Sequence, residues 1–243
     1  MANQGGAGSN DKASAVDVLS TLALRGVLTE IGDDFRARSG FHIAATYKST
    51  NAILTMIGEG ARADVAIATR EAIDRLLEQD VIAHGSTADI ARSGIGIAIR
   101  TGAPKPDVST VVAFKRALLD AKSVSFSRQG ASGIHFAQVI EQLGISEEVR
   151  HKAKIIDTYV GELAATGEVE LAIQQVSELI PVAGIDIVGP LPAELQKISV
   201  FSAGLFSTAH NGAGGQQLVG LLTAPSLAPV LLSKGLQPPT AAP

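Results

Sequence analysis

The chain has 243 residues, of which 46% are hydrophobic and 18% charged, a balance typical of a globular protein with one large domain or two small lobes. The net charge of −4 offers no basic field for nucleic acid or an anionic membrane, and the absence of cysteine excludes disulfides and thiolate chemistry. The five histidines lack zinc-binding spacing, so we expect neither a metal nor a cofactor. No apolar run is long enough for a membrane span.

Both ends of the chain have the composition of disordered tails, and we assign these tails to residues 1–14 and 237–243. Residues 1–14 lack the basic start and apolar core of a signal peptide. We therefore expect either a periplasmic protein whose signal peptide is absent from this sequence or a cytoplasmic protein. The expected state is a monomer.

Between these ends, short β-branched runs alternate with stretches of helical period. The first predicted strand covers 15–20, and apolar residues then recur at helical spacing through a predicted helix at 22–38. The pattern continues as strand, helix, strand and helix at 42–47, 51–57, 64–68 and 71–79. This βαβαβα opening predicts a mainly parallel sheet with helices on both faces.

The glycine-dotted apolar segment 93–99 predicts a crossover strand that leaves this first unit. A second set of elements follows, with helices at 109–121 and 132–143 and strands at 123–126, 154–157 and 171–174. The β-rich segment 198–206 predicts a return crossover, and helices at 215–222 and 227–233 would pack back on the first unit. We predict an α/β, two-lobed fold like that of periplasmic binding proteins, with parallel or mixed sheets. Lobe 1 would comprise 15–97 and the return segment 199–236, and lobe 2 would comprise 98–198.

Three predicted strand-to-helix turns, at 20–23, 48–51 and 127–133, are rich in small hydroxyl and amide side chains. Ligands of open α/β sheets collect at the carboxyl ends of strands, where helix N-termini favour anions. These turns therefore predict an anion site, although the same residues also serve as ordinary helix caps. The candidate ligand-binding residues are Ser20, Thr21, Arg25, Lys48, Ser49, Thr50, Asn51, Arg128 and Ser132, with Gln175 at the end of a later strand.

Charged and titratable side chains near these turns extend the hypothesis. Lys48 and the planar fork of Arg128 suit carboxylate recognition, although a solvated surface position is the alternative for each. His135 follows the third turn by two residues, so it is a candidate proton carrier, with a helix-surface position as the alternative. Weaker acid–base candidates are Asp17, Tyr159 and Glu178.

Several segments resemble the bacterial molybdate-binding protein family. They are 19–20, 50–54, 58–68 with Ala63-Asp64-Val65 as the most specific piece, 131–137 and 167–173. The resemblance covers roughly residues 15–235 and implies a type 2 periplasmic-binding fold that serves an ABC importer.

Family members hold a tetrahedral dianion with neutral groups, namely a serine in each of the first two loops, backbone N–H groups and a tyrosine in the last loop. The serine positions fall here near Ala23 and on Thr50 or Asn51, and the tyrosine position falls on Gln175. Because charged residues accompany these turns, we predict preference for a carboxylate over molybdate.

The resemblance leaves two main functions open. The first is a solute-binding protein that delivers a small carboxylate or oxyanion to an ABC importer. The alternative follows from relatives that are aconitate isomerases, which move a proton along an allylic system. In an isomerase of this type, the expected catalytic residues are His135, Lys48 and Arg128. A third hypothesis, an effector-sensing domain of a transcription regulator, is disfavoured because the sequence shows no N-terminal helix-turn-helix pattern.

Overall fold

A computed structural model describes residues 15–239. Lobe 1 is built on a five-stranded sheet with the order β2-β1-β3-β10-β4. Its strands are β1 (Ala15–Thr21), β2 (His42–Lys48), β3 (Val65–Thr69), β4 (Ala88–Ser93) and β10 (Ser199–Leu205). Strands β2 and β3 run parallel to β1, whereas β10 runs antiparallel between β3 and β4.

Lobe 2 is built on a second five-stranded sheet with the order β7-β6-β8-β5-β9. Its strands are β5 (Ile95–Arg100), β6 (Val124–Ser127), β7 (Ala153–Ile156), β8 (Leu171–Gln175) and β9 (Ile185–Pro190). Strands β6, β7 and β8 are parallel, and β5 is antiparallel to both of its neighbours. The two lobes therefore share one plan, a parallel core with an antiparallel strand that connects to the other lobe. This arrangement confirms the predicted α/β two-lobed fold.

Helices cover both faces of each sheet. In lobe 1 they are α1 (Arg25–Ser39), α2 (Thr50–Gly58), α3 (Arg70–Glu78), α9 (Gly212–Leu222) and α10 (Ala228–Ser233), with short 3-10 turns at Leu22–Leu24 and Pro225–Leu227. In lobe 2 they are α4 (Val111–Asp120), α5 (Ala131–Gln142), α6 (Ser146–His151), α7 (Gly161–Ala165) and α8 (Val176–Leu179). Within the described residues no single helix is long and apolar enough to cross a membrane. Only α9 taken with Pro225–Ser233 reaches that length, and this pair is bent by 63°.

The alternation of side chains along the strands explains why both faces are covered. In β3, Val65 and Ile67 enter the core beneath α1 and α9, whereas Ala66 and Ala68 enter the core beneath α2 and α3. All of these side chains are fully buried. The sequence of the strand is therefore continuously apolar, as expected for a central strand of a sheet that has helices on both faces.

Asp64, in the segment that resembles the molybdate-binding family, connects backbone segments of lobe 1. Its buried carboxylate accepts hydrogen bonds from the backbone N–H groups of Asp17 (2.8 Å) and Asn211 (2.7 Å). Asn211 in turn caps α9 by accepting from the N–H of Gly214 at 3.0 Å. This carboxylate therefore joins β1 to the start of α9.

The chain passes between the sheets at two places. It leaves the first sheet at Ser93 and enters the second at Ile95, with only Gly94 between them, whereas the predicted lobe boundary was at 97/98. The segment 93–99 is therefore not one crossover strand but the end of β4 and the start of β5. The second connection is the segment 191–198, because β10, predicted as the return crossover, lies entirely in the first sheet.

Side chains from lobe 2 hold the second connection in place. The amide of Gln196 accepts from the N–H of Ile95 at 2.9 Å and donates to the Ile95 carbonyl at 2.8 Å. His135, on α5, donates through Nε2 to the carbonyl oxygen of Leu195 at 2.8 Å. The two connections are thus hydrogen-bonded to each other and to α5.

Candidate functional site

The carboxyl ends of the parallel strands of both lobes face each other across a narrow cleft. Lobe 1 contributes Thr21 and Leu22 after β1, Ser49 and Thr50 after β2, and Phe201 of β10. The closed cleft encloses about 10 Å³, which is room for about one water molecule.

The lobe 1 wall is formed by the start of α2. Ser49 is the N-cap residue of this helix, and its Oγ accepts from the N–H of Ala52 at 3.4 Å. Thr50 is the first helical residue, and both side chains are buried. A helix start carries N–H groups without intrahelical partners and a positive partial charge, so this wall favours an anion without a cationic side chain.

The lobe 2 wall contains the start of α5, with Ser127, Gly130 and Ala131. This helix has no side-chain cap at its N-cap residue Gly130, unlike α2. The preceding turn is closed by Asp157, whose Oδ1 accepts from the N–H groups of Arg128 (3.1 Å) and Gln129 (3.0 Å). The N–H groups of the first turn of α5 thus face the cleft without a protein side chain as a cap.

Ser127 is the wall residue whose hydroxyl lacks a partner. It is 5% exposed, and its Oγ has no hydrogen bond within the described structure. Two glycines make room for it, because a Cβ at position 130 would lie 2.4 Å from this Oγ and a Cβ at position 133 would lie 1.8 Å from the Ser127 carbonyl oxygen. Only glycine therefore allows α5 to start so close to the end of β6.

The remaining lobe 2 wall is organised by Gln174. Its Oε1 accepts from the N–H of Val160 at 2.9 Å, and its Nε2 donates to the carbonyl of Thr158 at 3.1 Å, so it fixes the loop after β7. Glu178, at the start of the next helix, also lines the cleft and is buried. Burial raises the pKa of the Glu178 carboxyl to about 7, and a hydrogen bond from Gln174 opposes this rise only partly. The cleft therefore contains an acid–base group that titrates near neutral pH.

Gln175 belongs both to the cleft wall and to the connections between the lobes. In the amide orientation that satisfies its neighbours, Nε2 donates to the carbonyls of Ser93 (3.1 Å) and Gly94 (3.0 Å), and Oε1 accepts from the hydroxyl of Ser199 at 2.9 Å. Ser93 and Gly94 form the first connection, and Ser199 follows the second. The Gln175 side chain therefore joins the end of β8 to both connections between the lobes.

Arg25 links the lobes beside the cleft. Its guanidinium carbon lies 5.6 Å from the ring centre of Tyr47 in lobe 1 and 5.9 Å from that of Tyr159 in lobe 2, distances typical of cation–π contacts. Burial raises the pKa of Tyr159, and the nearby charge of Glu178 raises it further, whereas Arg25 lowers it. Arg25, Tyr159 and Glu178 thus form one electrostatically connected group.

The structure brings Thr21, Ser49, Thr50 and Gln175 of the predicted ligand-binding residues into the wall, and their binding role stays a prediction. The other candidates lie outside the wall. These are Ser20, Arg25, Lys48, Asn51, Arg128 and Ser132. The Ser20 hydroxyl is turned to the Thr21 carbonyl at 3.0 Å, and Ser132 is packed inside the first turn of α5. The side chains of Lys48, Asn51 and Arg128 are exposed to solvent, and their binding role stays a prediction. The second and third turns nevertheless both line the cleft, through Ser49 and Thr50 on one wall and 127–131 on the other.

His135, Lys48 and Arg128, the predicted catalytic set, do not line the cleft, and their catalytic role stays a prediction. His135 is held by the carbonyl of Leu195 in the second connection, and neither Lys48 nor Arg128 reaches the wall. Among the described residues the wall contains no lysine or arginine and two carboxyl groups, Asp157 and Glu178. The predicted preference for a carboxylate over molybdate therefore gains no support from basic side chains in the described part of the wall.

The most informative wall residues escaped the main sequence prediction. Glu178 appears in it only as a weaker acid–base candidate, Ser127 only as part of the third turn, and Gln174 only as the neighbour of Gln175 at the end of a later strand. The sequence carries a signal for two of these residues, since Gln174 lies next to the last residue of a buried strand and Glu178 lies in the short helix that follows. No sequence signal indicates that the Ser127 hydroxyl is unpaired, because this depends on the approach of α5.

Residues 16–237 match the family model described as bacterial extracellular solute-binding protein. The chain belongs to this family of solute-binding proteins. Among its relatives is an aconitate isomerase of a Pseudomonas species, 32% identical over 237 residues, which are 95% of this chain and 90% of that protein. The molybdate-binding protein ModA of Mycobacterium bovis is 23% identical over 96% of this chain and 88% of its own length.

Solved structures agree with this solute-binding fold. The periplasmic molybdate-binding protein of Azotobacter vinelandii superimposes with a TM-score of 0.78 at 17% identity, covering 93% of this chain and all of that one. At this identity the likeness supports the fold.

Proposed function

We propose that this solute-binding protein binds trans-aconitate, or a closely related unsaturated polycarboxylate, between its lobes and moves a proton along the allylic system of the ligand. The observation that carries the proposal is Glu178, a buried carboxyl in the cleft wall whose pKa of about 7 makes both protonation states accessible at neutral pH. A group with such a pKa is suited to take up a proton and return it. The relationship to an aconitate isomerase supports the same reaction.

The proposed reaction is a 1,3-proton shift without change of oxidation state. The ionised Glu178 removes a proton from the saturated carbon next to the double bond, which leaves a carbanion delocalised over the allylic carbons and the adjacent carboxylate. The protonated Glu178 then returns the proton to the far allylic carbon, so that one C–H bond is broken, one is formed and the double bond moves. The starts of α2 and α5 stabilise the charge that develops on the carboxylate, because their N–H groups are fixed before the reaction.

Closure of the lobes around the bound ligand would keep water from the carbanion. We propose that the lobes open about the two connections at Gly94 and 191–198, with Gln175 holding both.

The decisive experiment is to incubate the protein with trans-aconitate and to follow cis-aconitate by chromatography or proton NMR. Glu178→Gln should retain binding but lose turnover. The matched control is Glu162→Gln, which changes an exposed glutamate on α7 of the same lobe and should leave turnover unchanged. A wild-type protein that binds trans-aconitate without converting it would exclude the isomerase.

A second candidate function is solute binding for an ABC importer, in which the protein holds a small oxyanion such as molybdate and acts in the periplasm. The observation in its favour is the wall itself, whose hydroxyl, amide and helix N-terminal groups form a cage without lysine or arginine among the described residues. Calorimetric titration with molybdate and with trans-aconitate separates the candidates. Tight molybdate binding with no response to trans-aconitate favours the importer role.

A further inference from the structure

The start of α5 combines two independent features that point to a bound group. The helix has 12 residues, so its N-terminus carries the full partial charge of a regular helix, and its N-cap Gly130 supplies no capping side chain. Beside it, Ser127 is 95% buried, lines the cleft, and has a hydroxyl without a partner in the described structure. A buried hydroxyl without a hydrogen bond costs free energy, and a ligand in the cleft would supply the missing partner of Ser127.

We propose that Ser127 is a ligand-binding residue that donates its hydroxyl proton to an oxyanion group held at the N-terminus of α5. In terms of the proposed function, on which this assignment rests, that group is one carboxylate of the polycarboxylate substrate. The Ser127 hydroxyl and the first-turn N–H groups of α5 then donate hydrogen bonds to the same carboxylate. The glycines at 130 and 133 leave the space that brings these groups together.

The geometry also separates this role from those of the neighbouring residues. Asp157 takes up the N–H groups of Arg128 and Gln129, so these amides are not available to a ligand. On the opposite wall, the Ser49 hydroxyl accepts from the N–H of Ala52 as a helix cap, so it already has one hydrogen bond within the protein. The buried Ser127 hydroxyl has none in the described structure, and we expect a ligand in the cleft to supply it.

The test uses Ser127→Ala and Ser127→Cys with trans-aconitate as the probe. A hydrogen bond to a charged group is lost in both variants, so Kd should rise roughly 10- to 100-fold. The cysteine fills the space of the hydroxyl with a weak donor, so a similar loss in this variant excludes a mere cavity effect. The melting temperature of the empty Ser127→Ala protein should be unchanged or higher, because the substitution removes an unpaired buried polar group.

Ser177→Ala is the matched control. Ser177 is also buried with an unpartnered hydroxyl in the described structure, but it does not line the cleft. Its substitution should affect the melting temperature in the same direction and leave Kd unchanged.

The outcomes distinguish this assignment from the proposed function. If wild-type protein converts trans-aconitate and Ser127→Ala binds it equally well, the assignment is overturned and the proposed function stands. If wild-type protein binds only molybdate, the proposed function fails, and the same variants are titrated with molybdate. A rise in Kd then supports Ser127 as an oxyanion ligand, whereas an unchanged Kd overturns it. Binding of neither anion would overturn both.

Discussion

Replacing Glu178 with glutamine should stabilise the empty protein at alkaline pH. The buried carboxyl has a pKa of about 7 in the folded protein against an ordinary value of 4.5. Between these values the folded state holds a proton that the unfolded chain has lost, so stability falls as pH rises, and the full loss is reached above pH 7. The difference between the two pKa values, at about 1.4 kcal/mol for each pH unit, gives roughly 3 kcal/mol.

Urea unfolding at pH 5 and pH 8.5 measures this effect. At pH 5 the folded proteins carry a neutral group at position 178 in both forms, so Glu178→Gln and wild type should have similar stability. At pH 8.5 the variant should be more stable by roughly 3 kcal/mol, since the amide has no charge to bury. The control Glu162→Gln changes an exposed carboxylate and should follow wild type at both pH values.

The same substitution should remove activity. General acid–base groups typically contribute about 10²- to 10⁴-fold to a rate, so we expect a loss of at least about 100-fold in the conversion of trans-aconitate. The wild-type rate should rise with pH to a plateau above about 7, as the fraction of ionised Glu178 increases. A variant with equal stability at both pH values would refute the reasoning from burial. A variant with wild-type turnover would show that another group carries the proton.

Three further substitutions test features of the fold and the cleft. Gly133→Ala should destabilise lobe 2 by about 3 kcal/mol in urea unfolding, because the Cβ of the new alanine would lie 1.8 Å from the Ser127 carbonyl oxygen. An unchanged urea midpoint would mean that α5 can shift freely. Asp64→Ala should lower the free energy of unfolding by about 2–5 kcal/mol in the same measurement, since two backbone N–H groups lose their buried acceptor. A decrease below about 1 kcal/mol would contradict this structural role. Arg25→Ala removes a contact of about 1 kcal/mol with Tyr159, so the ligand should dissociate roughly 5-fold faster while the melting temperature stays nearly constant. Stopped-flow kinetics measures the dissociation rate. An unchanged rate would mean that Arg25 does not hold the lobes together.

The sequence predicts the parallel centre of each sheet well because these strands are buried on both sides. In β3 and β8 every residue is buried, so the apolar run is continuous and easily recognised. Strands β4 and β9 were not predicted. Both are edge strands with partly exposed residues, and β9 ends in Gly189-Pro190, so neither has a clear apolar pattern.

The positions of the cleft loops follow from the order of strands, but the directions of their side chains do not. Lys48 directly precedes the wall residue Ser49, and Arg128 directly follows Ser127, yet both basic side chains are exposed to solvent. A shift of one residue at a strand end turns a side chain to the opposite side. The backbone N–H of Arg128 is held by Asp157, a residue 29 positions away, and a long-range contact of this kind cannot be read from local sequence.

The position of Gln175 limits how ligand specificity can be altered by mutation. Its amide makes three hydrogen bonds to the two connections between the lobes while the same residue forms part of the cleft wall. A substitution here would remove the hydrogen bonds to both connections and alter the lining of the cleft at the same time, so these two effects cannot be separated at this position. Thr50 also lines the cleft but lies at the start of α2, so a substitution there would change the lining while the hydrogen bonds of Gln175 to the connections stay in place.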